Sequence, residues 1–152
     1  MAEDWQAISN LLMHYAELVD AGQLAECAEL FSQATYRVVR TDGRDSVHCR
    51  GAEEVAAFFS GTILYADGTP RTKHLVSNVA IELDGDRARA RSYVTVLQQT
   101  EVLPLQPIAS GCYVDELARI DGRWTFTDRM LTSFLLGDRS QHVEWSEPTG
   151  EG

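Results

Sequence analysis

The chain of 152 residues lacks most of the strings that announce a common chemistry. It has no G-x-G-x-x-G, no P-loop, no G-x-S-x-G and no H-E-x-x-H, which argues against nucleotide-dependent catalysis, a nucleophile elbow and a zincin-type metal site. Cysteine is scarce. Cys27, Cys49 and Cys112 are odd in number and scattered, so they make neither a disulfide framework nor a metal spacing. They read as small buried hydrophobes in a reducing compartment. Positive charge is also short: 13 Lys and Arg stand against 23 Asp and Glu, a net charge of -10. That balance disfavours nucleic acid and anionic membrane surfaces as partners and favours solubility. No apolar run approaches the ~20 residues of a membrane-spanning helix. The opening "MAEDWQAISN" has no basic segment ahead of an apolar core, so no signal peptide is expected and the location expected is the cytoplasm.

What is present is patterning. Residues 4–20 predict a helix, with Asp4 as N-cap and Trp5, Ile8, Leu11, Leu12, Tyr15, Leu18 and Val19 forming one apolar face. Gly22 ends it, and a second short helix is expected over about 23–31. "TYRVVR" and "SVHCR" read as strands around a turn centred on Asp42 and Gly43, and "GAEEVAAFFSG" as a third helix stopped by Gly61. Four strands follow, over 72–83, 87–100, about 108–120 and 123–136, with Asp-Gly turns closing two hairpins. Pro104 and Pro107 make 101–107 irregular. The order α-α-β-β-α-β-β-β-β predicts an α+β domain over 1–136, with helices on one face of a curved, mostly antiparallel sheet. Residues 137–152 read as a polar, mobile tail.

Polar residues lodged in this pattern are the candidates for chemistry. Asp20 places a carboxylate at a helix C-terminus, where the macrodipole favours cations. It is either a turn former before Gly22 or something more specific. Tyr15 points a phenol into the apolar stripe, either as a core aromatic with its hydroxyl at a polar rim or as a donor. His74 shares a strand face with Val76, Asn78 and Ala80, and is either a satisfied structural histidine or a general base. Arg129 lies mid-strand in phase with Thr125, Thr127, Leu131 and Ser133, and reads as a solvated side chain, an ion pair or an anion clamp.

"HYAELVDAGQLAECAELF", followed by a β-rich half ending "DGRWTFTDRML", resembles the SnoaL-like branch of the NTF2-like superfamily over residues 4–136. That superfamily includes ketosteroid isomerase, scytalone dehydratase, bile-acid 7α-dehydratase and hexachlorocyclohexane dehydrochlorinase. The resemblance implies a cone, a curved sheet wrapped around a pocket and closed by three helices of the N-terminal half. It implies an Asp20–His74 pair, with Tyr15 as hydrogen-bond donor and Arg129 stabilising negative charge. Asn78 would help position a substrate. Phe58, Phe59, Leu64, Tyr65, Leu103 and Leu105 would form an apolar mouth, or else be core or an oligomer interface. The expected activity is a cofactor-independent lyase of dehydratase type, without metal, acting on a small apolar cyclic molecule such as a steroid, terpenoid or polyketide. The alternatives are an isomerase like ketosteroid isomerase, epoxide hydrolysis, and a non-catalytic ligand-binding protein or subunit such as the β subunit of a ring-hydroxylating dioxygenase. A homodimer or homotrimer is the expected assembly.

Overall fold

A computed structural model describes residues 1–40, 42 and 45–144. The turn expected at Asp42 and Gly43 lies in part outside the described residues, as does the end of the C-terminal segment. Three helices, α1 (Ala2–Asp20), α2 (Leu24–Glu29) and α3 (Gly51–Phe59), pack against one six-stranded sheet. The strands are β1 (Thr35–Val39), β2 (Asp45–Arg50), β3 (Thr72–Asp84), β4 (Arg87–Gln98), β5 (Gln106–Ile120) and β6 (Arg123–Leu136). Their order across the sheet is β2-β1-β6-β5-β4-β3. Among the described residues only β1 and β6 run parallel, and every other strand pairing is antiparallel, so the α+β expectation holds. Among the described residues no helix is long and apolar enough to cross a membrane.

The helix α1 starts before Asp4, and Asp4 does not cap it. Its carboxylate instead accepts from Arg119 at 2.7 Å and from the Trp124 indole at 2.9 Å, tying the first turn to β5 and β6. Ile8, Leu12, Tyr15, Leu18 and Val19 form the buried face, as the 3.6-residue period requires.

Bulges bend the sheet and reset which residues face inward. On β3, Asn78 and Val79 together stand opposite Ser92, and Asn78 takes φ +53, a region that asparagine tolerates. Thr72, His74 and Val76 therefore turn toward the helices, and beyond the bulge Val79, Ile81 and Leu83 take over. On β6, Thr127 is the extra residue between the pairs Glu116–Asp128 and Leu117–Phe126, so Arg129 and Phe126 both point inward.

The junction of α1 with α2 fixes where Asp20 lies. Gly22 has φ +74, and its Cα abuts Gly68 so tightly that a Cβ would stand 1.9 Å from the Gly68 carbonyl oxygen. That contact holds the end of α1 beside the loop leading into β3. The substitution Gly22→Ala is therefore expected to cost at least about 2 kcal/mol, through both the clash and the left-handed backbone. Urea unfolding measures it, and a loss below about 0.5 kcal/mol would contradict the contact.

Candidate functional site

The helix α1 ends at Asp20 with no basic residue in its last turn. A carboxylate there is opposed by the helix macrodipole by about 0.3–1 kcal/mol. Three donors outweigh that. The Thr72 hydroxyl donates to Oδ1 at 2.8 Å and the His74 backbone N–H to Oδ2 at 2.8 Å, while the His74 Nδ1 lies 2.6 Å from Oδ1. Hydrogen bonds to an ionised group are worth about 1.5–3 kcal/mol each. Burial pushes the Asp20 carboxyl up, but the His74 ring, its charge, its backbone N–H and the Thr72 hydroxyl together hold it below its ordinary value. An ionised Asp20 accepts only, so in neutral His74 it is Nδ1 that carries the proton and Nε2 that carries the basic lone pair.

The His74 side chain is 9% exposed and lines a cavity of about 150 Å³ between the helices and the concave side of the sheet. The walls are mostly apolar, including Val19, Phe58, Phe59, Val94, Val96 and Phe134. The lining also includes three phenols, those of Tyr15, Tyr36 and Tyr113, which are all buried. The Tyr15 and Tyr36 hydroxyls are 3.3 Å apart. Because one of them donates to the other, the pair has one O–H left to point at a bound molecule. Burial pushes the Tyr15 phenol well up, and neighbouring Tyr36 and Tyr113 add to this against the pull of Arg129. Burial likewise raises Tyr36 and Tyr113. All three therefore stay protonated near neutral pH and act as donors.

Arg129 departs from expectation. It does not line the cavity and is 0% exposed. Its Nε and Nη2 donate to the two oxygens of Asp115 at 2.8 and 3.1 Å, across the β5–β6 ladder. The guanidinium carbon lies 3.6 Å from the Tyr113 ring centroid and 4.4 Å from that of Tyr15. Arg129 is thus a cation packed against the Tyr15 and Tyr113 rings, away from the cavity surface. Burial pushes the Asp115 carboxyl up against the pull of Arg129, and the guanidinium stays charged.

The structure brings His74, Asp20, Tyr15, Phe58 and Phe59 to one place. Other expected residues fall elsewhere. Asn78 is exposed at the bulge, which takes it out of phase with His74. Leu103 is buried but away from the cavity, its loop tied back by Thr100. Tyr65 does not line the cavity either, because its hydroxyl donates to the Gln141 carbonyl. Leu64 and Leu105 are exposed and form no mouth.

The segment after β6 is the largest revision. Over residues 137–144 it is docked, not a loose polar tail. The Gly137 N–H donates to Ile108 O, the Ile63 N–H to His142 O at 2.8 Å, and the Glu144 N–H to Gly61 O at 2.9 Å. Buried Gln98 donates to Gln141 O as well. This places Arg139, His142 and Val143 on the cavity wall. The His142 ring lies edge-on to His74 with centroids 6.4 Å apart. Burial, reinforced by His74 and Arg139 against Asp20, pushes His142 down to about 4. The anchors are backbone groups, which a polar sequence does not reveal. Tyr113 and Asp115 were better signalled, because they share the buried phase of β5 with Leu117. Among the described residues no three His, Cys, Asp or Glu side chains converge as metal ligands would.

A SnoaL-like domain matches residues 1–130. The chain belongs to the SnoaL-like family. No curated protein matches it. Among solved structures, an NTF2-like protein with a cystatin-like fold from Novosphingobium aromaticivorans superposes with a TM-score of 0.70 at 21% identity, over 86% of this chain and 82% of that one. A candidate scytalone dehydratase from the same organism gives 0.70 at 23% identity, over 99% and 96%. The β subunit of a candidate aromatic-ring-hydroxylating dioxygenase, also from that organism, gives 0.70 at 16% identity, over 95% and 92%. At these identities the likeness is one of fold, and the proteins that share it include both a candidate enzyme and a subunit.

Two outcomes are expected of the buried charges. Asp115→Ala strands the Arg129 guanidinium without its carboxylate and should cost about 3–5 kcal/mol in urea unfolding; a loss under 1 kcal/mol would show the pair is not what fills that space. For His142, the unfolded chain takes a proton near 6.5 and the folded chain only near about 4. Between those values the unfolded state binds more protons, so stability falls as pH drops. Native protein should lose about 3 kcal/mol more than His142→Gln across that window, and parallel curves would place His142 in solvent.

Proposed function

We propose that this SnoaL-like protein is a cofactor-independent lyase of dehydratase type, acting on a small apolar cyclic molecule that carries a β-hydroxy carbonyl group. The observation that carries the reading is the His74 ring, which lines an apolar cavity and is held through Nδ1 by Asp20 at 2.6 Å. A base at neutral pH removes a proton from carbon more readily where a neighbouring carbonyl can take up the charge. The phenol pair of Tyr15 and Tyr36 supplies the donor for that oxygen, and Arg129 behind the rings favours the anion.

The steps balance within these groups. His74 Nε2 takes the α-proton, and the C–H electron pair flows into the carbonyl as an enolate bonded by the phenols. Asp20 stabilises the imidazolium while it lasts, the part a carboxylate plays in other His–Asp pairs. The enolate then re-forms the carbonyl and expels the β-hydroxyl, which takes the proton back from His74 and leaves as water. A carbon–carbon double bond remains. The steroid, terpenoid or polyketide character of the substrate is proposed from the apolar walls and from the candidate scytalone dehydratase among the neighbours.

The test uses β-hydroxy-1-tetralone, whose loss of water gives fluorescent 1-naphthol. Native protein should form 1-naphthol, and His74→Ala should lower kcat by about 10²–10⁴-fold. Asp20→Asn should fall in the same range, because it removes both the tautomer lock and the charge. Exchange of the α-hydrogens with solvent deuterium without loss of water would favour the isomerase reading. Absence of both reactions would favour the non-catalytic reading that the dioxygenase β subunit represents.

A further inference from the structure

The cavity holds a second imidazole that the reaction above leaves unused. His142 reaches the wall from the docked C-terminal segment, clasped on both sides by the Ile63–His142 and Glu144–Gly61 backbone bonds and by the Thr62–Val143 bridge. Its ring approaches His74 edge-on, and His142 Nδ1 is buried with no hydrogen-bond partner. Buried polar atoms are almost always paired, so an unpaired one on a ring that lines a cavity points to a bond that a bound molecule can supply when the ring turns toward it.

We propose that His142 is a substrate-contacting residue whose imidazole takes a hydrogen bond with an oxygen substituent lying beside His74. Within the lyase reading, on which the identity of that oxygen rests, it is the departing β-hydroxyl. The cavity lining then offers two polar groups: the phenol pair, which takes the carbonyl oxygen, and the pair of imidazoles, which takes the hydroxyl. This arrangement sets specificity, because a cyclic ketone without the hydroxyl leaves His142 unpaired. It also suits the proton's route. Burial keeps His142 neutral where His74 cycles, so His142 orients the hydroxyl without competing for the proton that His74 must return.

The experiment compares two ligands that cannot react, β-hydroxy-α,α-dimethyl-1-tetralone and α,α-dimethyl-1-tetralone, since neither has an α-hydrogen to lose. Calorimetric Kd values are measured for native protein, His142→Phe and His142→Gln. In native protein the hydroxyl should improve affinity about tenfold, the worth of one net hydrogen bond. His142→Phe should abolish that preference. His142→Gln, whose amide can make one such bond, should keep part of it; the quantity compared is the ratio of the two Kd values within each protein, in which a general effect of the substitution on the cavity cancels. An equal hydroxyl preference in native protein and His142→Phe, or none in native protein, overturns the proposal. Because the ligands are inert, the result stands apart from turnover: a preference that follows His142 supports the contact even where β-hydroxy-1-tetralone is not dehydrated.

Discussion

The Asp20 carboxylate is bound at once by a side-chain hydroxyl, a backbone N–H and an imidazole, and the cavity's geometry depends on that one group. The cost of ending α1 on an anion is under about 1 kcal/mol. The return is larger, because all three donors belong to β3. Asp20 therefore joins the helix layer to the outer strand of the sheet and in the same stroke orients His74. Gly22 makes this possible from the other side. Without a Cβ it lets the chain turn against Gly68, so the end of α1 arrives beside Thr72. A stability device and a site-building device are here the same hydrogen bonds.

The second constraint lies beneath the cavity. Arg129 and Asp115 are both 0% exposed and pair across β5 and β6, with three aromatic rings against the guanidinium. A buried pair of this kind gains little over an apolar filling but is costly to break. Its value here is local. It stiffens the ladder under Tyr113 and Tyr36 and puts positive charge behind phenols that burial keeps protonated. The phenols are thus backed by a cation, with Phe58 and Phe59 packed against the Tyr36 ring.

Much of this was legible in the sequence. Helix and strand periods, the Asp-Gly turns and the Gly22 stop gave the element order, and the resemblance of "HYAELVDAGQLAECAELF" gave the cone. Asp20 was conspicuous because it contradicts its own helix end. What the sequence hid has physical causes. A bulge inserts one residue and inverts every later side chain, so strict alternation put Asn78 beside His74 and misjudged the neighbours of Arg129. Tyr65 and Leu103 are apolar in composition, yet they brace the segments beside the cavity instead of lining it. The C-terminal segment shows no period, because it is held by main-chain groups and by Gln98. His142 therefore passed for a tail residue.

The account depends most on the state of the His74 ring. Long-range ¹H–¹⁵N correlation spectra of the histidines, assigned by His74→Gln and recorded where the ring is neutral, read that state directly. The account predicts an Nδ1-protonated tautomer, with a pyrrole-like Nδ1 and a pyridine-like Nε2, which reverts toward a mixture in Asp20→Asn. An Nε2-protonated ring in the native protein, or a spectrum that Asp20→Asn leaves unchanged, would contradict it.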